Sequence, residues 1–180
     1  MLQLRKLLLL LFIFITTQLN AQIEVARLTT KNYSAIGLGA YLNFSIPVTE
    51  SAAITAGAGF YNFKKEDERV ALAPLLLGYR QMLNGSSTGL YLEPVGGYTL
   101  GGSDITKRDE NGNPIYDEDG EVNQKVKGIT AGVGSGYIFS GSVPINIGLQ
   151  YRRVFVGNDP SLNLFSFRIS YSLSGRGRGE

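Results

Sequence analysis

Tyr33-Ser34-Ala35-Ile36-Gly37-Leu38-Gly39-Ala40-Tyr41-Leu42-Asn43-Phe44-Ser45-Ile46-Pro47 alternates at period two without a slip. One parity holds Ile36, Leu38, Ala40, Leu42, Phe44 and Ile46, and the other holds Ala35, Gly37, Gly39, Tyr41, Asn43 and Ser45. Successive side chains of a β-strand point to opposite faces, so this stretch reads as a strand with one apolar face and one small or polar face.

The same pattern recurs in both directions along the chain. Apolar positions run through Ala52–Phe60, Ala71–Tyr79, Leu90–Tyr98, Ile129–Phe139, Ile145–Tyr151 and Phe165–Leu173, always alternating with Gly, Ser, Thr, Asn, Arg or Glu. The runs at Ala71–Tyr79 and Leu90–Tyr98 are the least regular. Leu72, Leu76 and Val95 fall on the polar parity, and Pro94 falls inside a strand. Ile23–Thr30 is a weaker candidate at the start of the chain. These segments match the ~9–11 residues with which a tilted strand crosses a bilayer.

The connections supply a count. Val48–Glu50, Asn84–Thr88 and Ser140–Ser142 read as short turns. They alternate with Lys64–Arg69, Gly101–Lys127 and Gly157–Pro160, which are longer or more charged. Membrane barrels have short periplasmic turns and longer outer loops. Placing the long loop outside sends the last strand down into the periplasm and requires the Ile23–Thr30 segment as a first, upward strand. The expectation is an all-β, up-and-down antiparallel transmembrane barrel of about eight strands.

Charge decides which face is inside. The seven regular strands carry Arg80, Glu93, Arg152, Arg153 and Arg168, and all but Arg153 lie on the Gly-rich parity. Arg153 lies near a loop end, where a charge on the lipid face costs little. Polar residues inward and apolar residues outward fit a small membrane barrel with a filled lumen. The alternatives are a soluble periplasmic barrel binding an apolar ligand, which needs the opposite arrangement, and a lipid-acting barrel enzyme that works without His. Aromatic residues gather near strand ends, with Phe60, Tyr98 and Phe155 toward one end and Phe44, Tyr79, Tyr137 and Tyr171 toward the other. Two interfacial girdles have this form.

Residues 1–21 read as a signal peptide, with Arg5 and Lys6 ahead of the apolar run Leu7–Ile15 and cleavage expected after Ala21. The run is too short for a spanning helix, which needs ~20 apolar residues. The domain plan is therefore a leader at 1–21, a barrel at 22–173 and a periplasmic tail at 174–180.

Composition narrows the chemistry. Of 17 basic residues, Arg5 and Lys6 lie in the leader, which leaves 15 against 15 acidic ones, with no excess to attract nucleic acid. The chain has no Cys and no His. Disulfides, thiolate metal sites and the commonest general base are thereby excluded, and the expectation is a protein without catalytic residues or a cofactor.

The strings Ala73-Pro74-Leu75-Leu76-Leu77-Gly78-Tyr79-Arg80, Tyr91-Leu92-Glu93-Pro94-Val95-Gly96-Gly97-Tyr98 and Ile147-Gly148-Leu149-Gln150-Tyr151-Arg152 resemble the small outer-membrane β-barrel domain proteins of Gram-negative bacteria, the OmpA/OmpX-like group. The resemblance covers essentially the whole mature chain and implies an outer-membrane location, contact with membrane lipid and insertion by the barrel-assembly machinery. That machinery usually recognises a terminal aromatic residue in this family. Here the strand Phe165–Leu173 is followed by Ser174–Glu180, which departs from the pattern.

Three groups of residues are candidates for more than scaffolding. Arg80 and Glu93 lie on the inward parity of neighbouring strands at similar height, so an interior ion pair is expected, with structural neutralisation the stronger reading and a proton or ion relay the weaker. Gln150, Arg152 and Arg168 are the other interior polar positions. In the loop 101–127, seven acids outnumber four cations. There Asp117, Asp119 and Glu121 have the i, i+2, i+4 spacing of a candidate calcium site, without the rest of a calcium-binding loop. Asn111-Gly112 and Asp119-Gly120 are hairpin-turn dipeptides, so the same loop also reads as a solvated hairpin that meets an extracellular or envelope protein partner.

Overall fold

The computed structural model describes residues 18–31, 33–109, 111–141 and 145–172. Most of the expected leader and the 174–180 tail lie outside the described residues.

Ten strands follow in order: β1 (Gln18–Thr29), β2 (Ser34–Thr49), β3 (Ala52–Lys65), β4 (Glu68–Met82), β5 (Gly89–Ser103), β6 (Tyr116–Asp117), β7 (Gly120–Glu121), β8 (Gly128–Ile138), β9 (Ile145–Phe155) and β10 (Leu162–Ser172). Eight of them close into a barrel in the order β1-β10-β9-β8-β5-β4-β3-β2, while β6 and β7 form a separate two-stranded ribbon inside the long loop. Every barrel pairing is antiparallel, and β1 pairs with both β2 and β10. The weak N-terminal segment is therefore the eighth strand. It begins at Gln18, ahead of the cleavage position expected after Ala21.

The registers fix the barrel's geometry. A lateral walk from Leu72 passes through Tyr61, Gly39, Glu24, Arg168, Gly148, Gly136 and Tyr91 and returns to the same strand at Met82. The path is displaced by ten residues, from 72 to 82, in one circuit of eight strands. Strands must then tilt about 40° from the barrel axis, giving a bore that side chains can fill.

The parity read from sequence sets the faces. Large apolar side chains point outward along every barrel strand, with Ile23 at 71%, Ile36 at 70% and Leu77 at 66% exposure. Such a surface is stable against lipid and costly against water. A soluble ligand-binding barrel needs the reverse arrangement.

Three expectations need correction. First, the connection expected at Lys64–Arg69 is a two-residue turn: Lys65 pairs with Glu68, and Glu66 takes φ 56°, the left-handed geometry that tight hairpins favour. The turn between β4 and β5, at the opposite end, is longer than this one. The length difference between the barrel's two ends rests mainly on the loop after β5.

Second, the lumen is not polar throughout. Its loop-end half is an apolar core that includes Leu28, Tyr61, Phe63, Val70, Leu72 and Leu164. Leu72 and Leu76, anomalous in the sequence pattern, belong to this core. Third, Arg153 is joined by other charges on the outward face. On the outward parity of the described barrel strands stand Arg27, Lys64, Arg69 and Arg153, all at the loop end.

Candidate functional site: the lumen network and the folded outer loop

The lumen holds two buried ion clusters. Arg80, on β4, and Glu93, on β5, face each other where Pro94 breaks the backbone ladder, between the pairs Gly78–Val95 and Gln81–Leu92. Arg80 Nη2 lies 3.1 Å from Glu93 Oε2. The same carboxylate accepts from Arg168 Nη2 at 2.6 Å, and its Oε1 accepts from Thr55 Oγ1 at 2.8 Å. Arg80 and Arg168 also approach one aromatic face, lying 4.7 and 5.7 Å from the centre of the Tyr91 ring. The Tyr91 hydroxyl accepts from Arg168 and donates to Asn146 Oδ1, each at 2.9 Å.

The second cluster is built on Arg152, whose Nη2 donates at 2.8 Å to both Glu24 Oε2 and the Tyr61 hydroxyl and at 3.3 Å to Ser166 Oγ. Its guanidinium lies 4.8 Å from the Tyr61 ring centre. Gln150 is buried on the same face of β9. Glu24 is the functional-site residue missing from the sequence reading. The signal was present, since Ile23, Val25 and Arg27 alternate with Gln22, Glu24 and Ala26, and a lone acid on the inward parity of a first strand needs a buried cation.

Glycine makes room for this packing. A Cβ on Gly39 would collide with the Tyr61 ring, and one on Gly57 with the Tyr41 ring. Inward glycines thus let a tyrosine lie flat over the neighbouring strand, which positions the Tyr61 hydroxyl against Arg152. A small cavity of about 80 Å³ remains at the turn end beside Arg80 and Met82. Lumen layers of ion clusters and apolar side chains match a filled barrel rather than an open channel.

The loop between β5 and β8 is a built element rather than a free hairpin. Ile105 and Val126, at its two feet, are buried in the apolar core. Buried Gln124 donates from Nε2 to Thr30 Oγ1 and to the Pro160 carbonyl, both at 3.1 Å. Lys107 Nζ lies 2.6 Å from Asp159 Oδ1, and the Lys125 amide donates to Asp159 Oδ2 at 3.1 Å. The feet therefore bind the loops before β2 and before β10, and together they cover the barrel mouth.

Beyond the feet, Arg108 bridges to Pro114 and Thr106 to Asn123. Asp109 Oδ1 accepts the amides of Asn111 and Asn113 at 2.9 and 2.8 Å, folding the tip around Gly112. These amides hold the Asp109 carboxyl below its usual range, the Asn113 amide most strongly. The structure does not draw Asp117, Asp119 and Glu121 into one cluster: Asp117 Oδ1 accepts the Asp119 amide at 3.0 Å, while Glu121 accepts from Thr106 Oγ1 at 2.9 Å and from the Tyr116 hydroxyl at 3.3 Å. Among the described residues no group of three or more acidic side chains is arranged to hold a metal ion.

The model of the outer membrane protein beta-barrel domain matches residues 15–172. This chain belongs to that family. The outer-membrane barrel is also similar to solved structures at low identity. It superposes on Ail, the attachment invasion locus protein of Yersinia pestis, with a TM-score of 0.60 at 10% identity, covering 87% of this chain and 97% of that one. Against the N-terminal β-barrel domain of Pseudomonas aeruginosa OprF the score is 0.53 at 14% identity, covering 86% and 97%. Neisserial surface protein A gives 0.52 at 12%, covering 88% and 97%. At these identities the likeness speaks for the fold alone. Among curated proteins no sequence matches the chain. Family and architecture together place this barrel in the outer membrane, its apolar strand faces against lipid.

Proposed function

We propose that this outer-membrane barrel is a non-enzymatic structural and surface-interaction protein, oriented with its loop end outward and working through the loop at 101–127. The observation that carries this reading is the anchoring of that loop. Ile105, Val126 and the Lys107–Asp159 pair hold its feet in the barrel mouth, so the tip is presented on a fixed base. Preorganised loops bind with less ordering cost than free ones. The packed lumen supports a scaffold more than a conduit, and a chain without His or Cys has few groups suited to catalysis. The outward aromatics Phe165, Phe167 and Tyr171 of the last barrel strand suit delivery by the assembly machinery.

The loop's chemistry also suggests a partner. A structure of Ail holds the heparin analogue sucrose octasulfate. In this chain the loop has seven acids against four cations, a balance that suits a basic protein surface better than a sulfated polymer. The test uses cells displaying the full chain, or a form lacking residues 108–121 but keeping both feet, on polylysine-coated and heparin-coated surfaces. Heat-dependent gel mobility checks that each barrel is folded. The expected result is adhesion to polylysine that falls about tenfold on deletion. Equal adhesion by the two forms would sink the loop as the working part.

A further inference from the structure

The four charged residues on the barrel's outward parity, Arg27, Lys64, Arg69 and Arg153, are all cations and all stand at the loop end. Two of them are placed together. Lys64 on β3 and Arg69 on β4 are direct cross-strand partners, and like charges in that position repel. Among the described residues neither has a carboxylate within ion-pair distance. The acids of the same hairpin point elsewhere: Glu66 and Asp67 form the tip, and Glu68 lies on the inward parity opposite Lys65. Asp104, whose amide donates to the Arg69 carbonyl, makes no ion pair with it either. The row continues through Ile36 to Arg27, its direct partner on β1.

Two depressions lie along β2 and β3 on this face. The upper one, about 480 Å³, is lined by Lys64, Arg69, Asn62, Ile36 and Leu38. Further down β2 and β3, and reaching across β1 to β10, runs an apolar groove of about 830 Å³. Its floor includes Ala40 and Ala58, and its walls include Phe60, Phe167 and Ile169. A paired cationic site above an apolar groove, on a surface that faces lipid, matches one kind of molecule in both halves.

We infer that Lys64 and Arg69 bind the phosphate group of a phosphorylated membrane lipid, one of whose acyl chains lies in the Ala40–Ala58 groove. The phosphate relieves the Lys64–Arg69 repulsion, and Asn62 offers a further donor. A lipid is favoured over a soluble anion because the site opens sideways, on the outward parity, and continues into apolar surface. The site rests on the membrane reading of the barrel and does not depend on which end faces outward.

The test uses the folded mature chain in phosphatidylcholine nanodiscs doped with a bisphosphorylated diglucosamine lipid, or with the same lipid after removal of its phosphates. Native mass spectrometry after detergent extraction reads the lipid retained. Two cations near a membrane surface predict a preference of about thirtyfold for the phosphorylated form. K64Q/R69Q should lose this preference while keeping its heat-dependent gel mobility, and R153Q should keep both. A58L, which fills the groove and leaves the charges in place, should lower retention of both lipids. Equal retention by the parent and K64Q/R69Q overturns the phosphate site, and undiminished retention by A58L overturns the groove. Binding of soluble inositol hexakisphosphate through Lys64 and Arg69, without selective lipid retention, reassigns the pair to a free anion and overturns the lipid inference.

Discussion

Arg168 Nη2 donates to Glu93 Oε2 at 2.6 Å although the two residues stand 75 positions apart in the chain. Glu93 also faces Arg80 at 3.1 Å, so one carboxylate is shared by two buried guanidiniums. Removing it leaves two guanidiniums with no counter-charge between them, whereas removing Arg80 leaves the balanced Glu93–Arg168 pair. Glu93→Gln should therefore destabilise the barrel by about 3–5 kcal/mol, and Arg80→Gln by about 2 kcal/mol. Urea unfolding in lipid vesicles checks the ranking. An Arg80 variant as damaging as the Glu93 variant would show that the carboxylate is not the hub.

The second cluster gives a steric prediction. A side chain on Gly39 meets the Tyr61 ring, which carries the hydroxyl that Arg152 uses. Gly39→Val should cost about 1–3 kcal/mol, while Gly102→Val, with open space around its Cβ position, should cost little. Unfolding midpoints of the two variants decide, and equal midpoints would remove the special role of Gly39.

Loop anchoring can be separated from barrel stability. Ile105 is fully buried and belongs to the apolar core. Ile105→Ala should cost about 2–5 kcal/mol locally and make the loop after β5 protease-sensitive, with heat-dependent gel mobility of the barrel preserved. A loop as resistant as the parent's would mean that the anchoring lies in Lys107, Gln124 and Asp159 alone.

The tip should respond to acid. Folded-state amide hydrogen bonds lower the Asp109 carboxyl below its ordinary value, so the tip gains stability from ionised Asp109 above the unfolded value of about 3.9. That contribution is lost as pH falls through the lower folded value. The Asn113 amide should keep its protection from pH 7 to about 4 and lose it below, as hydrogen exchange measures. Asp109→Asn should remove this acid-dependent step.

The barrel was legible because period-two alternation survives any detail of packing: Ile36 to Ile46 face outward as their parity requires. The Arg80–Glu93 juxtaposition was legible for the same reason, since a short turn fixes register between neighbours. What escaped depends on contacts across the lumen. Glu24 lies 128 residues from Arg152, and no local pattern links them. Leu72 and Leu76 looked like errors in the alternation because the sequence does not say at which height the lumen turns apolar. The charged run Lys64–Arg69 resembled a loop because Lys64 and Arg69 take the outward face, Lys65 and Glu68 the inward parity and Glu66 and Asp67 the tip, a sorting that appears only once the two-residue turn is formed.

The seam between β1 and β10 sets the order in which the barrel can be made. Every other barrel pairing joins consecutive barrel strands, but this one joins Glu24 to Arg168. Until the last strand emerges from export, the growing sheet has two bare edges, each open to pairing with another chain. The Glu24–Arg152 contact also draws the first strand toward the final hairpin. Closure and charge neutralisation in the interior thus arrive together at the end of assembly, and a chain truncated before β10 is left as an open ribbon with a buried-type acid exposed to misrouting or proteolysis.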